Sequence, residues 1–136
     1  MSSIEKSVAS LTLHGKDLDL QEITELLHCT PSKAHHKGQL ISSVRKNYAT
    51  KGMWSLDSNL ADDVELEIKI KDILDKVNND VEVWQSLNAR FSTRVFCGIF
   101  MDFSNEGFGL SPQLLYRLAS LGLLIDFDIY APISED

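Results

Sequence analysis

Asp126 and Asp128 stand two positions apart in a segment, Leu123 to Tyr130, whose residues alternate between apolar and polar. On a strand that spacing puts both carboxylates on one face, about 7 Å apart. Two carboxylates so placed can serve as acid and base at a glycosidic bond. They are equally the polar positions of an amphipathic strand, and the alternation favours that plainer reading. His28-Cys29 and His35-His36 bring together four side chains able to ligate zinc. No C-x-x-C pair accompanies them, and adjacent histidines on a strand or helix point apart, so no metal site is assigned. Cys97 lies in an apolar run, where a thiol behaves as a small hydrophobe. Cys29 falls at the C-terminal end of a helical pattern, where the dipole opposes a thiolate. The loop Asn105-Glu106-Gly107-Phe108-Gly109 has two glycines but no basic residue, and neither a Walker loop nor Gly-x-Ser-x-Gly occurs. No catalytic residue and no cofactor site follows from the sequence.

The elements that position these residues can be read from periodicity. Val8 to His14 alternates as a strand and Gly15 breaks it. Asp19 is placed to cap a helix with Leu20, Ile23, Leu26 and Leu27 on one side, ending before Pro31. Residues 32–52 read as an irregular basic loop, with a short strand over Gln39 to Lys46. Met53 to Asp57 is a second strand. A long helix starts at Asp62 or Asp63, with Val64, Ile68, Leu74 and Val77 inward, Ile70 and Ile73 beside them, and Glu65, Glu67, Lys69, Lys71 and Asp72 on the solvated face. Asn78-Asn79-Asp80 breaks it, and Val81 to Asn88 forms a shorter helix. Thr93 to Phe103 is apolar on both faces, as a central strand is. Ser111-Pro112 opens a helix with Leu114, Leu115, Leu118 and Leu121 inward, Gly122 ends it, and Leu123 to Tyr130 is the last strand.

The two ends of this order match: strand, glycine turn, capped helix, strand. They predict an α+β fold, a single-domain ferredoxin-like α/β sandwich with two βαβ halves, inserted helices and a mostly antiparallel sheet. The core spans residues 7–130 and residues 131–136 form a tail. The first and third strands should then be parallel neighbours, bringing Asp17 and Asp19 close to Asp102 and Glu106. With helices on one sheet face only, the open face would carry Thr12, His14, Phe96, Phe100, Asp102, Asp126 and Asp128.

Thirteen basic residues face twenty acidic ones, a net charge of -7, which argues against nucleic acid as a partner. No acidic residue lies between Glu25 and Asp57, and five of the thirteen cations fall there, so the rest of the chain carries eight basic residues against all twenty acids. No apolar stretch approaches the roughly 20 residues of a membrane span, and Met1 to Lys6 lack the apolar stretch of a secretory signal. With two distant cysteines, a reducing cytoplasm is the expected compartment.

Leu13-His14-Gly15, Leu18, Ile23, Leu26-Leu27 and Thr30-Pro31-Ser32-Lys33 are followed by Lys37-Gly38, Gly52-Met53-Trp54-Ser55-Leu56, Gly107-Phe108-Gly109-Leu110-Ser111-Pro112 and Asp126-Phe127-Asp128-Ile129-Tyr130. In this order, over about residues 8–130, they resemble a bacterial domain-of-unknown-function family, number 4279. The resemblance implies a small α/β protein without established catalytic residues, similar in some members to immunity proteins that accompany secreted toxins. The matched positions are largely those that turns, caps and a core require, so they speak for fold more than activity.

The expectation is a non-enzymatic cytoplasmic protein that binds and neutralises a toxin domain, such as a nuclease, by covering its active site. The partner-binding residues expected are Asp17, Asp19, Asp102, Glu106, Asp126, Asp128, Phe96 and Phe100: acids for steering, aromatics for anchoring. The alternative is a small-molecule or anion-binding module, or a small enzyme, using His14, His35, His36 and the basic loop. A third reading is a homodimer formed through an exposed sheet edge.

Overall fold

The computed structural model describes residues 6–42 and 44–132. The first five residues and the end of the expected tail, residues 133–136, lie outside that description. Eleven elements follow in order: β1 (Lys6–Gly15), α1 (Leu20–Leu27), β2 (Lys33–His35), β3 (Leu40–Ser42), β4 (Asn47–Tyr48), β5 (Gly52–Asp57), α2 (Leu66–Lys76), α3 (Val81–Arg90), β6 (Ser92–Phe100), α4 (Pro112–Ser120) and β7 (Leu124–Tyr130).

The architecture is α+β. Five strands form a mixed, mostly antiparallel sheet in the order β2-β5-β1-β6-β7, and β3-β4 form a small separate hairpin. Among the described strands only β6 and β7 run parallel, joined across α4 as a βαβ unit. Here the expected pair of matching halves is corrected. β1 and β6 are central neighbours, but antiparallel, with His14 opposite Ser92 and Lys6 opposite Phe100. The first half is therefore no βαβ unit: β1 and β5 also pair antiparallel. With the helical link α2–α3 after β5, the chain re-enters the sheet on the other side of β1.

Alternation along the strands sorts the two faces as the sequence predicts. Ala9, Leu11, Leu13, Trp54, Leu56, Val95, Cys97 and Ile99 are buried beneath the helices. They meet Ile23 and Leu27 of α1, Ile70, Ile73 and Leu74 of α2, Trp84 and Leu87 of α3, and Leu114 and Leu118 of α4 in one hydrophobic core. Both buried tryptophans have their ring N–H satisfied: Trp54 Nε1 donates to Thr24 Oγ1 (3.1 Å) and Trp84 Nε1 to the Asn78 carbonyl (2.7 Å).

Capping explains the helix starts. Asp19 accepts from the N–H groups of Gln21 and Glu22 (3.0 and 3.4 Å), Asp80 from that of Glu82 (2.9 Å), and Ser111 from that of Leu114 (3.2 Å). After α4, Gly122 takes a φ of +66°, and a Cβ there would meet Asn88 Nδ2 at 2.4 Å, so the position requires glycine. α2 departs from expectation. It begins at Leu66, not at Asp62 or Asp63, and its buried stripe holds Lys69 while Ile68 is 49% exposed. β6 stops at Phe100, short of Phe103, because Glu106 Oε1 draws in the N–H groups of Asp102 (2.5 Å) and Phe103 (2.8 Å) and curls the chain away.

Candidate docking surface

Among the described residues no helix lies on the second face of the sheet. Register sets its residues in rows across the strands. Lys33, Ser55, Thr12, Arg94 and Leu124 form one row; Asp57, Ser10, Phe96 and Asp126 the next; then Val8, Gly98 and Asp128; then Lys6, Phe100 and Tyr130. Gly98 is closely fitted, since a Cβ there would meet Val8 Cγ2 at 2.8 Å.

The face carries polar groups in pairs. Asp57 accepts from Ser10 (2.7 Å) and Ser55 (3.3 Å) and lies 3.6 Å from Lys33 Nζ. Arg94 Nη1 donates to Asp126 Oδ2 at 2.9 Å. At the corner where β6 and β7 end, Phe100 stacks on Tyr130 with ring centres 4.8 Å apart, and Lys6 Nζ lies 4.9 Å over the Phe100 ring. Tyr130 donates its hydroxyl to Asp128 Oδ2 at 2.6 Å, and that bond, with the carboxylate charge, holds the phenol above its ordinary pKa.

Both signs of charge occur along the face, with Lys6 at the Phe100–Tyr130 corner and Arg94 bridged to Asp126. At the opposite end, burial pushes the His14 imidazolium pKa down, and the nearby Arg94, Lys51 and His35 side chains lower it further. The Phe100–Tyr130 corner has Asp126 and Asp128 on β7, with Asp102 and Glu106 in the loop that leaves β6.

The eight expected partner-binding residues are thus split. Phe96, Phe100, Asp126 and Asp128 share the open face, as read from the alternation. Asp102 lies just beyond it on the same corner and is exposed, while Glu106 is occupied in holding its own loop. Asp17 and Asp19 lie at the far end of the sheet, roughly 27 Å away along β1 at ~3.4 Å per residue, because β1 runs antiparallel to β6. Asp19 is moreover spent as a helix cap. That part of the expected acidic surface is corrected.

Two features escaped the sequence reading. Lys69, 1% exposed, directs its ammonium at the Ser7 carbonyl (2.5 Å), the Ser7 hydroxyl (3.2 Å) and the Asp62 carbonyl (3.0 Å). Burial lowers its pKa, opposed by the charges of Asp62 and Asp63. Beside it, Ser7, Glu65, Glu67, Ile99 and Phe108 line a cleft of about 140 Å³. That is smaller than the ~300–1,000 Å³ usual for ligand pockets. Glu67 accepts from the Ser111 N–H, and this bond, together with Lys71 at 3.2 Å, keeps its carboxyl below the ordinary range. The sequence signal for Lys69 is its place one position before Ile70 and four before Ile73, in line with the apolar stripe.

The remaining chemical candidates stay apart. Among the described residues no three His, Cys, Asp or Glu side chains converge as metal ligands, so His28, Cys29, His35 and His36 do not meet in one cluster. Cys97 is fully buried, and burial with the Asp126 charge pushes its thiol up to about 12. Among the described residues no helix is long and apolar enough to cross a membrane.

The molecule defined by this geometry is an α+β protein with a helix-covered sheet face, a bare one, and an acidic aromatic corner on the bare side. The family follows from the sequence as a whole: the chain belongs to the domain of unknown function family DUF4279, whose model matches residues 5–132. No curated protein matches the chain, and no solved structure does.

Proposed function

We propose that the chain is a non-enzymatic binding protein that receives a basic protein domain at the β6–β7 corner of its open sheet face. In the finer form of this reading it is an immunity protein, and the domain it covers is that of a toxin. The observation that carries the reading is the corner itself. Phe100 and Tyr130 offer stacked aromatic area, the exposed Asp102 and Asp128 place negative charge beside it, and Asp126, bridged to Arg94, lies farther along β7. Aromatics give an interface its anchors and charge gives it orientation and speed. An overall charge of -7 adds long-range attraction for a cationic partner.

The plainness of the remaining surface supports a binding role over catalysis. The cleft beside Lys69 is small, and the three acceptors around the ammonium match its three donors, an arrangement suited to a charged structural group. Compartment follows from the same reading: a protein that guards its own cell against a nucleic-acid-attacking domain works in the cytoplasm.

Co-expression tests the proposal. The product of the reading frame immediately upstream, expressed alone and with this chain, should arrest growth alone and be harmless in company. Asp102→Lys with Asp128→Lys should restore arrest. Full protection by that variant, or an upstream product that is harmless alone, would overturn the reading.

A further inference from the structure

The two edges of the five-stranded sheet are built differently. β2 has three residues, carries Lys33 and runs on toward the β3–β4 hairpin. Shortness and a lysine are devices that keep an edge from pairing. β7 has neither. It spans seven residues, has no proline, lysine or arginine, and keeps an unbroken register with β6 from Leu124 to Tyr130. Among the described residues no strand lies on its outer side. Phe127 is 37% exposed and Ile129 54%.

One hydrogen bond fixes which main-chain groups are free. The Met101 N–H donates to the Tyr130 carbonyl (3.0 Å), so the peptide groups of Tyr130 turn toward the β6 side. Direction alternates along a strand, so Asp126 and Asp128 also turn inward, while Ile125, Phe127 and Ile129 present N–H and C=O outward. An antiparallel newcomer would bond to those three. Asp126 and Asp128 would then occupy the non-hydrogen-bonded positions, where facing residues come closest, with Cα atoms about 4.5 Å apart.

That geometry chooses the occupant. A second copy, related by a two-fold axis at Phe127, would set Asp126 against the other copy's Asp128. Sliding the pair one pleat either way sets Asp126 or Asp128 against its own counterpart. Each arrangement opposes like charges at the closest positions, which is unfavourable. A strand with lysine or arginine at those positions and apolar residues between them meets attraction at both. Arg94 and Tyr130 engage the Oδ2 atoms of the two aspartates, and among the described residues the Oδ1 atoms accept no hydrogen bond and can face a cation.

We propose that the outer edge of β7 is a strand-addition site for an extended partner segment with alternating basic and apolar residues, which Asp126 and Asp128 admit while refusing a second copy of this chain. Strand addition draws affinity from main-chain bonds and selectivity from alternate side chains. The inference rests on the proposed basic protein partner and names the contact that partner makes.

The full chain, isotope-labelled, is titrated with capped peptides matched to the seven residues of β7: valine alternating with lysine, the same with glutamate, and the lysine peptide N-methylated on the amides that would face β7. The lysine peptide should bind on the order of tenfold tighter than the glutamate peptide. It should shift the amide resonances of Ile125, Phe127 and Ile129, and N-methylation should abolish both effects. Undiminished binding of the methylated peptide, or shifts confined to other strands, would overturn the site. Light scattering supplies a second arm: the folded Asp126→Asn/Asp128→Asn variant should dimerise where the unmodified chain does not, and a variant that stays monomeric overturns the exclusion of self. If the upstream product still binds when the peptides fail, strand addition falls and the partner reading stands; if both fail, both fall.

Discussion

Lys69 on α2 and Ser7 on β1, 62 residues apart in sequence, are joined twice: the buried ammonium donates to both the carbonyl and the hydroxyl of the serine. A third bond to the Asp62 carbonyl closes the loop that leads into α2. This clip ties the start of the first strand to the helix lying on it, and among the described residues no carboxylate pairs with it directly. It explains why α2 starts late. Asp62 and Asp63 look like caps in sequence, but the chain around Asp62 is held as an acceptor for Lys69.

Replacing Lys69 with methionine keeps most of the side-chain volume and removes the donors. At least one buried carbonyl, that of Ser7, is left without a partner, at a cost of about 1–3 kcal/mol. Urea denaturation of Lys69→Met should show a loss of about 2 kcal/mol. Amine labelling followed by mass spectrometry gives an independent reading: Lys69 should be the last lysine modified in the folded chain. Unchanged stability, or early labelling, would show the clip to be unimportant.

The two thiols should differ sharply. Cys97 is fully buried with its pKa pushed up to about 12, whereas Cys29 is half-buried at the end of α1. The thiolate is the reactive species, so at pH near 8 a disulfide reagent should titrate Cys29 alone, with Cys97 following only in denaturant. Rapid reaction of both in native buffer would contradict the packing of β6.

Acid should loosen the junction of α2 with α4. Glu67 accepts from the N-cap residue Ser111, and its folded pKa is lowered from 4.5. A lowered carboxyl pKa gives stability that is present above the unfolded value and lost as pH falls through the folded one. The melting temperature should therefore decline below about pH 4.5, and Glu67→Gln should be less stable at neutral pH yet show a shallower decline. Identical acid profiles for the two proteins would remove this link.

Much of this molecule is legible in its residues, and what is missed has a physical cause. Strand faces follow from a period of two, so the sequence places Phe96, Asp126 and Asp128 on the open side correctly. Asp19 and Ser111 are found because a cap is a local bond over two or three residues. Strand direction is different. Whether β1 lies parallel or antiparallel to β6 depends on how helices α2 and α3 carry the chain across, and no short-range pattern records it. A parallel β1 would bring Asp17 and Asp19 to the corner, whereas the antiparallel strand holds them at the far end of the sheet. Helical spacing alone puts Lys69 toward solvent, where a charged residue usually lies, and its acceptors come from a strand and a loop that such spacing cannot reveal.

The central claim is that the β6–β7 corner attracts and holds a basic protein. It is tested most directly by the association rate of the purified upstream product with this chain, measured across ionic strengths for the unmodified protein and for Asp126→Lys/Asp128→Lys. The account predicts a fast rate that falls steeply with salt, and a variant slower by on the order of tenfold or more at low salt. Equal rates for the two proteins, insensitive to salt, would contradict it.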